Sequence, residues 1–391
     1  MQVCDLKKCT GCFACYNICP KNCISMRPDE YGQVKPVIDE AICIKCHACT
    51  KHCPVNSKIE CVRPTKCYAA YQKDYTKRMK AASGGVAGLI AERTVREGGI
   101  VYGSIFNETY SVVVQRMTRN DEIEALYGSK YIQSYVNDAY KLVKNDLSDG
   151  KRVVFFGTPC QVAGLRSYLG KKYESLVSID IVCHGVPTQD TFQRYLTMEG
   201  IKIEDVGFLS FREGNHFSLK VYDHTGDLMG DFGLKNSLYY NGFLEGYIYR
   251  ENCYSCSYAC SERCGDITLC DFWGLGNKVP FDGDTSEGIN AVLINTDLGQ
   301  IIWDEVKDAC MYWERTVEEA IEGNNQLRHP TPQSRFSYRF HSLARDKGIA
   351  YALTHANEKK RMLIRTRKII GKNRAIYSFV KMIPIVGKKL T

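Results

Sequence analysis

The sequence predicts an α/β chain, α+β overall, in which a small cysteine-dense head precedes a larger domain built on parallel βαβ units. Three observations carry this. A cysteine pattern recurs after 34 residues inside the first 60. Two β-rich runs, 153–156 and 177–182, flank a helix signal, and strand–helix–strand in that length is a parallel unit. The chain has 391 residues, 44% hydrophobic and 25% charged, which is enough apolar material for a sizeable core and excludes disorder as the dominant state. No apolar run approaches the roughly 18 to 20 residues that span a bilayer. The start, Met1-Gln2-Val3-Cys4-Asp5, lacks the basic-then-apolar order of a secretory signal.

Cysteine is the outlier, with 20 in the chain. A secreted disulfide scaffold of that richness would be short and carry a signal, so metal thiolates in a reducing, cytoplasmic compartment are expected. The net charge of +8 belongs to one end. From His355 to Thr391 there are eleven Lys or Arg against Glu358, a balance of +10, and the rest of the chain is close to neutral. Nucleic-acid binding by the whole protein is therefore not expected.

In residues 1–60, Cys9-x-x-Cys12-x-x-Cys15-x-x-x-Cys19-Pro20 repeats as Cys43-x-x-Cys46-x-x-Cys49-x-x-x-Cys53-Pro54. Three thiolates at two-residue gaps wrap one face of a cubane, and the fourth, before proline, ligates the other cluster. This assigns one 4Fe-4S cluster to Cys9, Cys12, Cys15 and Cys53, and a second to Cys43, Cys46, Cys49 and Cys19. Zinc sites use paired Cys or His rather than eight interleaved cysteines. The pattern resembles a bacterial two-cluster ferredoxin; Cys23, where such domains usually have Ala, reads as a small buried thiol. A head of this kind carries single electrons and has no substrate pocket, so the rest of the chain must decide the function.

Residues 61–80 read as a linker with a first strand, Cys67 to Tyr71. Ser83-Gly84-Gly85-Val86 then opens an amphipathic helix ending near Gly98, with Ser83 as a possible cap. Such a start is either a simple capped turn or an anion site suited to a cofactor phosphate. Gly128-Ser129-Lys130-Tyr131-Ile132-Gln133-Ser134 packs a cation, hydroxyls and an amide into a loop. In the βαβ unit, Thr158 is expected to cap a helix that starts at Pro159 and runs through Leu169. Cys160 and Cys183 then lie at the carboxyl ends of neighbouring parallel strands, on the edge where open α/β sheets place their sites. With Cys253-x-x-Cys256 they can form a third cluster. The alternative is two buried structural cysteines and a separate zinc or redox pair.

These motifs, together with Asp180-Ile-Val-Cys183-His184-Gly185-Val-Pro187, Phe211-Arg212, Asn252-Cys253-Tyr-Ser-Cys256 and Asp271-Phe272-Trp273-Gly274, resemble the beta-subunit family of coenzyme F-420 hydrogenases and dehydrogenases. The resemblance spans about residues 68–340 and implies a flavin-binding domain over 81–350, with FAD and a 4Fe-4S cluster. Under it, Ser83, Gly84, Gly85, Gly128, Ser129, Lys130, Gln133 and Thr158 are expected to hold the flavin, with Lys130 beside the reduced ring. Asp271 and Trp273 would wall the pocket, Trp273 having a core position as its alternative. His184 or Arg212 would donate to the substrate, and Asp266 would make a structural hydrogen bond. Cys260, Cys264 and Cys270 depart from the family pattern and are expected to be packed thiols near the cluster, with a role as alternative ligands as the other reading. No strand–Gly-x-Gly-x-x-Gly–helix unit indicates an ordinary NAD site.

The expected function is an iron–sulfur flavoprotein oxidoreductase, fed by a ferredoxin or a redox-enzyme partner subunit and acting on a small organic or glycan-linked acceptor. Its rivals are an electron-wiring subunit for a deazaflavin enzyme and a reductive accessory of surface-polysaccharide synthesis. The tail, 355–391, alternates basic residues with Met362, Leu363, Ile364, Ile369 and Ile370, a pattern that suits an amphipathic helix. It would lie on the inner face of an anionic membrane, or dock on the body or on an acidic partner.

Overall fold

The computed structural model describes residues 1–213 and 216–372. In the head, a hairpin of β1 (Ile24–Pro28) and β2 (Val34–Ile38) carries two short helices, Ala14–Ile18 and Ala48–Lys51. The repeat is written in the backbone as well as in the cysteines. Gly11 and Phe13 have φ of 65° and 64°, and their counterparts Lys45 and His47 have 54° and 59°. Each two-residue gap between ligands therefore turns through a left-handed residue, a conformation that costs side-chain-bearing residues roughly 1–2 kcal/mol. Three of these four positions are not glycine, so the loops hold this shape against their own preference.

The body is organised around an eight-stranded mixed sheet. Its strands are β3 (Lys66–Gln72), β4 (Ile100–Phe106), β5 (Val112–Met117), β6 (Val153–Gly157), β7 (Leu176–Ile181), β11 (Ile267–Asp271), β12 (Asn290–Ile294) and β13 (Cys310–Arg315), in the order β13-β3-β12-β11-β7-β6-β4-β5. The central run β4, β6, β7, β11 is parallel, and the flanking pairs are antiparallel. β6 and β7 are the strands expected from the sequence, joined by the helix Pro159–Leu169.

Residues alternate across this sheet. Val153 and Phe155 face one core, with the helices Ala139–Ser148 and Pro159–Leu169 and with Phe13, Ala14 and Val34 of the head. Val154 and Phe156 face the other, with the helices Val86–Arg96 and Asp297–Val306. Burial on both faces is why these strands are continuous apolar runs. The head thus shares a core with one sheet face.

A second, smaller sheet of β8 (Val206–Glu213), β9 (His216–Asp223) and β10 (Leu228–Gly233) packs an aromatic-rich core against the helices Gln189–Met198, Leu238–Leu244 and Arg335–Lys347. The basic tail begins as a helix, Glu358–Lys372, anchored by buried Ile364 and by an ion pair of Lys360 with Glu245 at 2.8 Å. Met362, Leu363 and Ile369 of this helix point outward. The apolar end of the tail, from Phe379 to Val386, lies outside the described residues. Among the described residues no helix is long and apolar enough to cross a membrane.

Candidate iron–sulfur and flavin site

The eight head cysteines gather into the two expected sets. Cys19, Cys43, Cys46 and Cys49 line one small cavity, closed on its inner side by Ile24 and Ile38. Of these four cysteines Cys46 is the exposed one. Around the second point, burial and then the adjacent thiols of Cys9 and Cys53 push Cys12 up to about 12, and burial with the thiols of Cys12, Cys9 and Cys53 pushes Cys15 well above its usual range. Thiols packed so closely out of water are poor company for one another and good ligands for a cationic cluster.

Each set has a fifth cysteine. Cys4 hydrogen-bonds to the sulfurs of Cys53 and Cys9 and draws them down to about 7 and about 6. Cys23, buried as expected, stands 3.3 Å from Cys19.

The sheet brings the four scattered cysteines together. Cys160 sits in the first turn of its helix, Cys183 follows β7, and Cys253 lies in the 3-10 turn Glu251–Ser255 with Cys256 directly after it. Burial and the facing thiols of Cys253, Cys160 and Cys256 hold Cys183 well above its usual range; Cys256 rises to about 12 through burial, then Cys160 and Cys253. Among the described residues no three His, Cys, Asp or Glu converge on a single-ion site.

The three extra cysteines have other neighbours. Cys260 donates to the carbonyls of Ser257 and Glu262, Cys264 faces Cys61, and Cys270 lies near Cys67.

Two residues join this third set to the head. Gly164, one turn beyond Cys160, lies so close to the head that a Cβ there would stand 2.9 Å from Cys12 Cβ and 3.1 Å from its sulfur. Arg250 is 1% exposed. Its guanidinium donates to Gln133 Oε1 at 2.6 Å, Asn252 Oδ1 at 3.1 Å and the carbonyl of Cys9 at 3.1 Å. Its charge favours the thiolates of Cys9, Cys160 and Cys253. Sequence reading missed Arg250; its one signal was an arginine just before Asn252-Cys253.

The expected flavin residues divide. Arg212, 3% exposed, is paired with Asp271 at 2.6 Å and lies over the Phe217 ring. Tyr131 meets this pair and is hydrogen-bonded to Ser129, and Asp271 also faces His184. His184 is exposed at the rim but crowded by protein on its inner side, and that crowding holds its imidazole below the usual range. Trp273 is 45% exposed on the loop after β11, so it is not a core residue.

Asp271 stands opposite Asn290 on β12, and Asn290 Oδ1 accepts from Val86 N, so the Ser83–Gly85 turn lies near the Arg212–Asp271 pair. The turn is not capped as expected. Gly85, with φ of 80°, occupies the cap position in place of Ser83, and the first helical N–H is taken by Asn290 of β12; the turn is pressed against β3, where a Cβ on Gly84 would lie 2.3 Å from the Ala70 carbonyl. The Ser83 hydroxyl is buried without a partner, and Gly128 faces open space.

Lys130 donates to the carbonyls of Leu126, Tyr127 and Gly128 at 3.0–3.3 Å, and burial lowers it to about 7. Gln133 is taken up by Arg250, whose guanidinium donates to its Oε1. Thr158 opens the helix as expected, its N–H and hydroxyl both on Gln161 Oε1, with the hydroxyl 3.2 Å from Cys160 Sγ. Asp266 binds Ser178 and Thr296, the structural role expected of it.

Residues 150–320 match the C-terminal part of the coenzyme F-420 hydrogenase/dehydrogenase beta subunit, and residues 8–57 match the 4Fe-4S dicluster domain. The chain joins a 4Fe-4S dicluster head to the C-terminal domain of the F-420 hydrogenase/dehydrogenase beta-subunit family. Within it, the head of this beta-subunit homologue is similar to an uncharacterised ferredoxin of Methanocaldococcus jannaschii, 38% identical over 63 residues, which is 16% of this chain and 80% of the ferredoxin. Among solved structures it is similar to a chain of the F-420-reducing NiFe hydrogenase complex from Methanosarcina barkeri, at 17% identity and a TM-score of 0.46, over 79% of this chain and 94% of that one. This family member is an iron–sulfur electron-transfer protein of the F-420 hydrogenase beta-subunit type.

Proposed function

We propose that this chain is an iron–sulfur flavoprotein oxidoreductase that passes electrons between ferredoxin-type 4Fe-4S clusters and FAD to reduce, or in reverse oxidise, an organic acceptor. The observation that carries the reading is the convergence of Cys160, Cys183, Cys253 and Cys256 at the carboxyl edge of the sheet, with Cys12 of the head close by and the Arg212–Asp271 pair, near His184, at the ends of neighbouring strands. The unpartnered buried hydroxyl of Ser83, the open face of Gly128 and the Arg212 cation fit a phosphate-bearing flavin. A flavin bound there supplies the exchange of a hydride for single electrons.

The chain's own residues set the conditions. Asp271 fixes the Arg212 guanidinium by an ion pair at 2.6 Å. His184, kept from charging by its crowding, offers a neutral imidazole to an acceptor at the rim. Trp273 limits water at the mouth. Exposed Cys46 marks the end of the head at which a ferredoxin or a partner subunit would dock.

The family's description as a beta subunit supports a second reading, in which the chain wires a separate hydrogenase or dehydrogenase to a deazaflavin.

Anaerobically purified protein should carry about twelve iron, about twelve acid-labile sulfides and one FAD, at four iron per cluster. Cys160→Ser should remove about a third of the iron and sulfide. A count of about eight that this substitution leaves unchanged overturns the third cluster, and a folded protein that takes up no added FAD overturns the flavin. Ferredoxin-driven reduction by the isolated chain supports the first reading over the second, and co-purification of a catalytic large subunit the reverse.

A further inference from the structure

Cys61 and Cys264 belong to none of the three ligand sets. Their sulfurs stand 2.8 Å apart across a sequence separation of 203 residues. The backbone accounts for the approach. Val62 and Arg263 form an isolated antiparallel bridge in which both N–H groups are used, Val62 N to Arg263 O at 3.0 Å and Arg263 N to Val62 O at 2.8 Å. One residue further along, Cys61 and Cys264 face each other as the next, non-hydrogen-bonded pair. At that register opposed Cα atoms lie about 4.5 Å apart and side chains are closest. That separation falls inside the range a disulfide spans.

The two thiols are unlike. Cys264 is 1% exposed, and its backbone N–H donates to Asp180 Oδ2 at 3.1 Å. Cys61 is half-buried at the surface end of the junction, beside Glu60, whose ion pair with Lys172 lies in solvent. The hydrogen bond from Cys264 draws the Cys61 thiol below its usual range, and Arg166 and Arg263 add to this; the same contact, with burial, holds Cys264 far above. An accessible, thiolate-leaning sulfur beside a buried thiol is the arrangement of an attacking and a resolving cysteine.

We propose that Cys61 and Cys264 are a redox-active dithiol that exchanges with low-molecular-weight disulfides and closes into a staple between the end of the head and the loop after the third cysteine set. The Cys61 thiolate attacks one sulfur of the external disulfide; that S–S bond breaks, one thiolate leaves, and a mixed disulfide forms on Cys61. Cys264 then gives its proton to a released thiolate, and its sulfur attacks the Cys61 sulfur and expels the second thiolate. Two protein thiols lose two electrons, and one disulfide becomes two thiols carrying the two protons the protein released. The staple fixes residue 61, where the head joins the body, to a segment whose Arg263 is locked to buried Asp180 at 2.9 Å.

The reduced, iron-loaded protein is incubated anaerobically with oxidised glutathione, quenched by alkylation and digested without reductant for mass spectrometry. The expected product is a peptide pair linked through Cys61 and Cys264. In Cys264→Ser the glutathione adduct should remain on Cys61, whereas in Cys61→Ser Cys264 should stay unmodified. Both variants should keep the wild-type iron count, which separates this pair from the cluster ligands. If Cys264→Ser does not fold, the wild-type link and Cys61→Ser decide the matter, since Cys61 is half-exposed. Absence of the linked peptide from folded, iron-loaded protein overturns the proposal, as does loss of iron in Cys61→Ser.

Discussion

Replacing Arg250 with Met removes a guanidinium that bonds the head and acts through its charge on the third cysteine set, while keeping most of the volume of its stem. Gln133 Oε1, Asn252 Oδ1 and the Cys9 carbonyl, accepting at 2.6, 3.1 and 3.1 Å, are then left buried without that donor. Each orphaned acceptor costs about 1–3 kcal/mol, so the loss should be on the order of 3–9 kcal/mol, against the roughly 5–15 kcal/mol that holds a domain together. The charge has a separate effect. Arg250 favours the anionic forms of Cys9, Cys160 and Cys253, so without it the groups they ligate should accept an electron only at more negative potential. Arg250→Lys keeps the charge but not the fork of donors. Urea unfolding of the anaerobic protein reads the first effect, and potentiometric titration followed by electron paramagnetic resonance reads the second. The Lys variant should regain much of the potential and little of the stability. A Met variant with unchanged stability and potentials, or a Lys variant that restores both in full, refutes this account of Arg250.

Gly164→Ala should destabilise despite the better helix propensity of Ala, because the about 0.5–1 kcal/mol gained is outweighed by about 1–3 kcal/mol of overpacking against Cys12 and the Tyr140 hydroxyl, which is itself bonded to the Gln161 carbonyl at 2.7 Å; an unfolding midpoint at or above wild type would show that the helix and head can part freely. Lys130, lowered to about 7 by burial, binds its proton more weakly folded than unfolded, so its burden on stability is full below pH 7 and is relieved as pH rises toward the usual lysine value. Wild type should therefore gain on Lys130→Met between pH 7 and pH 9 in paired urea titrations, and a difference that does not vary with pH counts against a desolvated ammonium. For the tail, outward Met362, Leu363 and Ile369 beside Lys359 and Arg365 predict sedimentation of the full chain with anionic but not neutral liposomes, lost in high salt and lost on truncation near Thr354; equal sedimentation with and without the tail would assign it to packing on the body.

The parts legible in the sequence are those whose chemistry is local. A cluster ligand set needs three sulfurs at fixed short gaps, so the head announces itself, down to which fourth cysteine crosses over. β6 and β7 are legible because burial on both faces leaves no polar alternation, and the Thr158-Pro159 start of the intervening helix is a local signal. Topology then carried the inference one step beyond local pattern, since parallel neighbours must end on one edge and so place Cys160 beside Cys183. The rest depends on contacts that no spacing encodes. Ser83-Gly84-Gly85 reads as a capped turn, but its glycines answer to the Ala70 carbonyl and the Gln72 side chain of a neighbouring strand. Gln133 looks like its loop neighbours and serves a different partner, and Cys61 and Cys264 meet only because a single bridge at Val62 and Arg263 sets their register.

The same division explains how the head is coupled to the body. The ligand sets form from local sequence, but their adjacency rests on three non-local devices: a missing side chain at Gly164, a buried cation at Arg250, and an apolar seam in which Phe13, Ala14 and Val34 join the core of the sheet. Each acts on a different quantity. Gly164 sets how closely the helix bearing Cys160 approaches Cys12, Arg250 sets the charge shared by the two ligand sets, and the seam supplies the apolar burial that keeps the head from detaching. The proposed electron transfer between the sets would draw on all three. An insertion or deletion in residues 61–65, which leaves every ligand spacing intact, should for that reason disturb coupling between head and body more than it disturbs the iron content of either.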